Sequence, residues 1–211
     1  MFQQNSSTPL CRLMSVVSRR WVAAGMLAIV SSGLLVAPVL ALSETITFKK
    51  ELDAPDVLQL PNDRSQQVLH FTVPKTWQVS GSGSAIDLIF QHSSELLPHR
   101  SWLEVLVNDR VLKKVMLTDA NSKVTHLKVP LGGAVLKPDN TLKLRVEQHY
   151  TDKCEDPLDQ SLWTHVLGDS SIQFNYTKTD AKIDLAGYPY PMIDPLDYAP
   201  SEIGYVLPQS M

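Results

Sequence analysis

Glu95, Glu104, Glu147, Glu155 and Asp156 are the residues whose type could support paired-carboxylate chemistry. In that chemistry one carboxyl protonates a leaving oxygen while a second attacks or activates water. Glu104 and Glu147 each alternate with apolar residues, which puts them on the outer face of strands, where acids ordinarily serve solvation. The histidines, His70, His92, His99, His126, His149 and His165, include no pair at the i, i+4 spacing of a helical zinc site. Cys154 has no second cysteine near it, so no metal is expected. Gly81 and Gly83 lack the strand-to-helix context of a phosphate-binding loop, and no Gly-x-Ser-x-Gly elbow occurs. The sequence is expected to belong to a protein that is not an enzyme and that uses no cofactor.

The aromatic residues are more informative. A flat ring is apolar and matches the CH-rich face of a glucose unit, so exposed rings make natural glycan platforms. Trp77, Trp102 and Trp163 are the expected platforms, with Tyr150 as a helper. His92 and Ser93 are expected either to hydrogen-bond sugar hydroxyls or to shape a turn. The competing expectation is that each tryptophan fills the core or a sandwich edge. Trp102 precedes Leu103 and therefore points away from the face shared by Leu103, Val105 and Val107.

The elements that must position these residues read as short strands. Leu69, Phe71 and Val73 alternate along 67–73, Ile86, Leu88 and Phe90 along 85–91, Leu142, Leu144 and Val146 in a later run, and Ile172, Phe174 and Tyr176 in another. A period of two marks strands buried on one face. Val107-Asn108-Asp109-Arg110-Val111 reads as a hairpin, because Asn and Asp tolerate the positive φ of a tight turn. Pro138-Asp139-Asn140 marks a further turn, and Ser80–Ser84 a flexible loop. Only 159–167 offers a short helix. The expected fold class is all-β: a jelly-roll-like antiparallel sandwich of about eight strands, occupying 43–180.

The two ends differ from this middle. Arg12, Arg19 and Arg20 precede an apolar stretch, Trp21–Leu42, with no acid before Glu44. That pattern is an export signal or an uncleaved membrane anchor over 1–42. Val39-Leu40-Ala41 offers a cleavage site, and Ser18-Arg19-Arg20-Trp21 resembles a twin-arginine signal. Cys154 is then the lone exported cysteine and is expected to be buried. From Ala181 the prolines Pro189, Pro191, Pro195, Pro200 and Pro208 describe a linker or extended arm, 181–211, with Ile203–Leu207 starting a further strand. A net charge of −3, with no Lys/Arg run longer than two residues, excludes a nucleic-acid partner.

Several runs, taken in order, carry a resemblance. They are Phe71-Thr72-Val73-Pro74 with Trp77, then Leu88–Pro98, then Ser101–Asn108, then Val129-Pro130. Leu136–Leu142, Cys154-Glu155-Asp156-Pro157 leading to Leu162-Trp163, Asp184-Leu185 and Tyr188–Pro191 follow. Over about 66–207 the chain resembles the first domain of the periplasmic subunit of bacterial cellulose synthase. The resemblance implies a carbohydrate-binding jelly roll, in a family where two such domains alternate with two flavodoxin-like domains before a C-terminal anchoring helix. It implies a place in the periplasm at the inner membrane, beside the catalytic subunit that polymerises glucose from UDP-glucose, guiding the nascent β-1,4-glucan. Members often carry a cyclic di-GMP-binding label, although the resemblance places nucleotide sensing in the catalytic subunit. No arginine-rich nucleotide motif stands here. The sequence departs from the family by being short, and a truncated product or a partial reading frame is expected.

Overall fold

The computed structural model describes residues 41–132, 136–179, 186, 188–190 and 193–198. The expected leader over 1–42, apart from its last two residues, lies outside them, as do Asp184-Leu185 and the expected strand Ile203–Leu207. Among the described residues no helix is long and apolar enough to cross a membrane.

Alternation dictates the elements. The strands are β1 (Leu42–Thr47), β2 (Val57–Pro61), β3 (Arg64–Thr72), β4 (Trp77–Val79), β5 (Ala85–His92) and β6 (Trp102–Val107). They continue as β7 (Arg110–Met116), β8 (Thr125–Pro130), β9 (Asp139–Glu147), β10 (Trp163–Leu167) and β11 (Ser171–Lys178). Among the described residues these are joined by one helical turn, Phe48–Glu51, and a 3-10 turn, Asp119–Asn121. Sequence reading expected about eight strands. The excess comes from short edge strands such as β4, whose three residues are too few to show a period. The helix expected within 159–167 is instead β10, because Thr164 and Val166 are buried in strict alternation with Trp163, His165 and Leu167.

All pairings are antiparallel. A seven-stranded sheet runs β1-β11-β5-β10-β2, with β4 beside β11 and β8 beside β5, and a four-stranded sheet runs β3-β9-β6-β7. Consecutive strands repeatedly change sheet, so the hydrophobic face of each sheet closes on the other. Leu69, Phe71, Leu103, Val105, Leu142, Leu144 and Val146 from the smaller sheet meet Ile86, Leu88, Phe90, Val166, Ile172 and Phe174 from the larger. Each large side chain fully buried here contributes about 1.5–3 kcal/mol. The architecture is the expected antiparallel sandwich.

The β6–β7 hairpin turns at Asn108 and Asp109, with φ of 50° and 65°. Asn108 also docks the turn, its Nδ2 donating to Asn140 Oδ1 at 2.8 Å while its Oδ1 accepts from the Thr141 N–H at 3.1 Å. At the opposite end of β9 from that turn, the loop to β10 carries Cys154, which is exposed. This corrects the expectation of a buried thiol. The loop is anchored by Tyr150 and Glu155, so the residues between them, Asp152 to Cys154, turn to solvent. Described residues of the proline-rich arm pass edge strand β3, where the Thr72 N–H donates to Tyr198 Oη at 2.8 Å and Thr72 Oγ1 to the Leu196 carbonyl at 3.1 Å.

Candidate functional site

The chemistry-bearing residues converge because of where strands begin and end. β6 starts at Trp102, β10 at Trp163 and β3 at Arg64, while β9 ends at Glu147, β5 at His92 and β2 at Pro61. Antiparallel register brings these termini to one end of the sandwich: Trp102 lies opposite Glu147, Glu147 opposite Arg64, Trp163 opposite Pro61 and Thr164 opposite His92.

On the outer face of the four-stranded sheet this register builds an open groove of about 640 Å³. Its lining includes Arg64, Gln66, Trp102, Glu104, Arg145 and Glu147. Arg145 donates to Glu104 Oε2 from Nε at 3.0 Å and from Nη2 at 2.5 Å, and Lys114 Nζ stands 3.6 Å from Glu104 Oε1. The Lys114 ammonium also lies 3.7 Å from the centroid of the Trp102 ring. A cation over an indole is attracted by the ring quadrupole, so Lys114 braces the ring on one side. Lys114 does not line the groove, which takes the rest of the ring as a wall.

Glu147 continues the array outward. It accepts from Arg64 Nη2 at 3.4 Å, and His149 Nε2 lies 3.4 Å from the same oxygen. The other ring nitrogen of His149 donates to Glu155 Oε2 at 2.5 Å, and the Tyr150 N–H donates to Glu155 Oε1 at 2.7 Å. Burial alone would raise the Glu155 pKa, but the hydrogen bonds from His149 and from the Tyr150 N–H outweigh it and hold the carboxyl below its ordinary range. Paired cations and carboxylates along one wall offer alternating donors and acceptors, which suits vicinal hydroxyls, since each hydroxyl both donates and accepts.

The expected site residues separate into three environments. Trp102 is half-buried at the groove. Trp163 is half-buried on the outer face of the opposite sheet, its ring 4.7 Å from that of His165. Trp77 is only 7% exposed, stacked on Tyr176 at 3.8 Å and edge-on to Phe174 at 5.9 Å, with its indole nitrogen buried and without a partner. The expectation that Trp77 offers a platform is corrected, because β4 tucks its first side chain under the sheet. His92 and Ser93 are also buried. His92 Nδ1 is 2.8 Å from the Ser93 carbonyl and Nε2 is 2.8 Å from Asn121 Oδ1, while the Ser93 N–H bonds the Trp163 carbonyl and its hydroxyl accepts from Glu95 N–H. Of the two expectations for this pair, the shaping of a turn is the one the geometry matches. The Tyr150 ring packs against the core and its hydroxyl accepts from the Asp156 N–H at 3.1 Å, so it braces the loop.

Sequence reading missed Arg64, Arg145 and Lys114. Strand alternation could have put Arg145 and Lys114 on outer faces, but which strand neighbours which is a long-range property. Among the described residues no cluster of three or more His, Cys, Asp or Glu side chains could hold a metal ion.

Relatives named "Cyclic di-GMP-binding protein" match this chain. The protein of Salmonella typhi is 30% identical over 120 residues, covering 56% of this chain and 16% of that protein. The protein of Escherichia coli K12 is 31% identical over 113 residues, covering 53% of this chain and 14% of the relative. The protein of Pseudomonas fluorescens SBW25 is 29% identical over 149 residues, covering 70% of this chain and 20% of the relative. The matched part is thus at most about a fifth of the length of these relatives. A family model for the first CBM domain of the cellulose synthase BcsB matches residues 42–178, the whole of the sandwich, and this chain belongs to that family.

Proposed function

We propose that this chain is the glycan-facing first domain of a non-catalytic cellulose synthase subunit. It works in the periplasm at the inner membrane, guiding the emerging β-1,4-glucan beside the catalytic subunit. The system it serves is regulated by cyclic di-GMP. Family membership supports the setting. The observation that carries the glycan reading is the Trp102 groove, where an aromatic wall stands beside ion-paired donors and acceptors. Arg64 and Arg145 are each paired with a glutamate, whose negative charge opposes a phosphate but not a neutral hydroxyl.

Titrating the full chain with cellohexaose by calorimetry tests this. Binding in the millimolar range is expected, and Trp102→Ala should weaken it about tenfold, which is about 1.4 kcal/mol. Absence of heat at millimolar sugar would remove direct glucan binding. A docking role on the catalytic subunit is the second reading. It is favoured by β7, an edge strand of the four-stranded sheet with Val111 and Met116 exposed.

A further inference from the structure

The outer face of the seven-stranded sheet holds a strip whose chemistry differs from the groove. β2 and β10 contain no Lys, Arg, Asp or Glu. In β5 the one charged residue is Asp87, and it is paired with His126 at 3.2 Å. His165 of β10 lies opposite Gln59 of β2 on one side and Gln91 of β5 on the other. Antiparallel partners share a face, so two amides flank the imidazole in one row. The next row along β10 is Trp163, whose ring rests on His165, opposite Pro61. Three strands at about 4.8 Å spacing, and five residues at about 3.4 Å rise, make this strip about 10 Å wide and 14 Å long.

The geometry points to this strip as a second glucan-binding station, on the sheet opposite the Trp102 groove, with Gln59, Gln91 and His165 as its hydrogen-bonding residues. It rests on the reading of the domain as glucan-facing. The occupant is a neutral glycan, because the rows at Trp163 and His165 hold no Lys, Arg, Asp or Glu and so offer no complement to an anionic or cationic chain. The neighbouring Trp163 and His165 rings, tilted at 35° to each other, suit the apolar face of a pyranose, and amides that both donate and accept suit its hydroxyl edge. The strip begins at the same end of the sandwich as the groove. Pro61 at its edge is followed after Asn62 and Asp63 by Arg64 at the groove, so one turn carries both stations. A chain crossing that end can meet both.

The test is calorimetric titration of the full chain with cellohexaose, in wild type, Trp102→Ala, the double variant Gln91→Ala/His165→Ala and the exposed-edge variant Gln59→Ala. Circular dichroism establishes that each is folded, and Gln59→Ala serves if the double variant is not. Two sites are expected in wild type. Trp102→Ala should keep one of them, and Gln91→Ala/His165→Ala or Gln59→Ala should weaken that remaining site about tenfold. A single site abolished by Trp102→Ala and indifferent to the glutamines and His165 would overturn the strip and leave the groove standing. A single site that survives Trp102→Ala but is lost in the double variant would uphold the strip and sink the groove. An unchanged isotherm, with loss of co-purification of the catalytic subunit, would assign the strip to a protein partner and overturn the proposal.

Discussion

Gln148 Oε1 accepts a hydrogen bond from Thr164 Oγ1 at 2.7 Å, and both residues are fully buried. Gln148 follows β9 of the smaller sheet and Thr164 belongs to β10 of the larger, so the bond ties the two layers at the end that bears the sites. The Gln148 amide also donates to the carbonyls of Leu60 and Asn62, at 3.0 and 2.7 Å. It thereby clamps the turn that separates Pro61 from Arg64.

Gln148→Ala strands those carbonyls and the Thr164 hydroxyl inside the protein. The expected loss is about 3 kcal/mol, read from urea denaturation midpoints. Because the same turn carries both stations, cellohexaose binding should weaken in this variant even where it remains folded.

Acidification should act through Glu155. Its folded pKa is depressed from the ordinary 4.5, so its contribution to stability is fully present above that value and fades as pH falls through the lower folded value. Glu155→Gln should therefore be less stable than wild type at pH 7, and the gap should close below about pH 4.5. Denaturation midpoints measured across this range for both proteins give the comparison.

Asp109 sits at φ 65° in the β6–β7 turn. A β-branched side chain is strained there, so Asp109→Val should cost about 1–2 kcal/mol. The accompanying loss of the Asp109–Lys143 contact, between surface groups, is small beside it. Chemical denaturation of the two proteins would register the difference.

Cys154 should react with a water-soluble thiol reagent in the native state without prior unfolding, since its side chain is exposed. Cys154→Ser should remove that fast-reacting thiol and shift stability by no more than about 0.5 kcal/mol. A native protein in which Cys154 labels only after denaturant is added would contradict its placement.

Much of the sandwich was legible in the sequence because strands with one buried face write a period of two. Leu69, Phe71, Leu142, Leu144, Ile172 and Phe174 all fell on the expected side. The Asn108-Asp109 turn was legible because few residues accept positive φ. The site was less so. Trp77 and Trp102 both stand at the first residue of a strand, yet one is packed under a sheet and the other faces out. That difference depends on which strands neighbour them. Lys114 over Trp102, and Gln148 between the layers, are contacts across strands that no local pattern announces.

The burial of Trp77 has an optical consequence. Its indole sits among Phe174 and Tyr176 with no hydrogen-bond acceptor at its nitrogen, so it should emit at the blue edge of the fluorescence spectrum and resist collisional quenchers. Trp102 and Trp163, each half in water, should emit further to the red and be quenched readily. With Trp21, which lies outside the described residues, replaced by Phe, light from the two outward rings can be separated from that of the interior one, and a bound glucan should dim or shift the red component while leaving the blue one as a built-in reference.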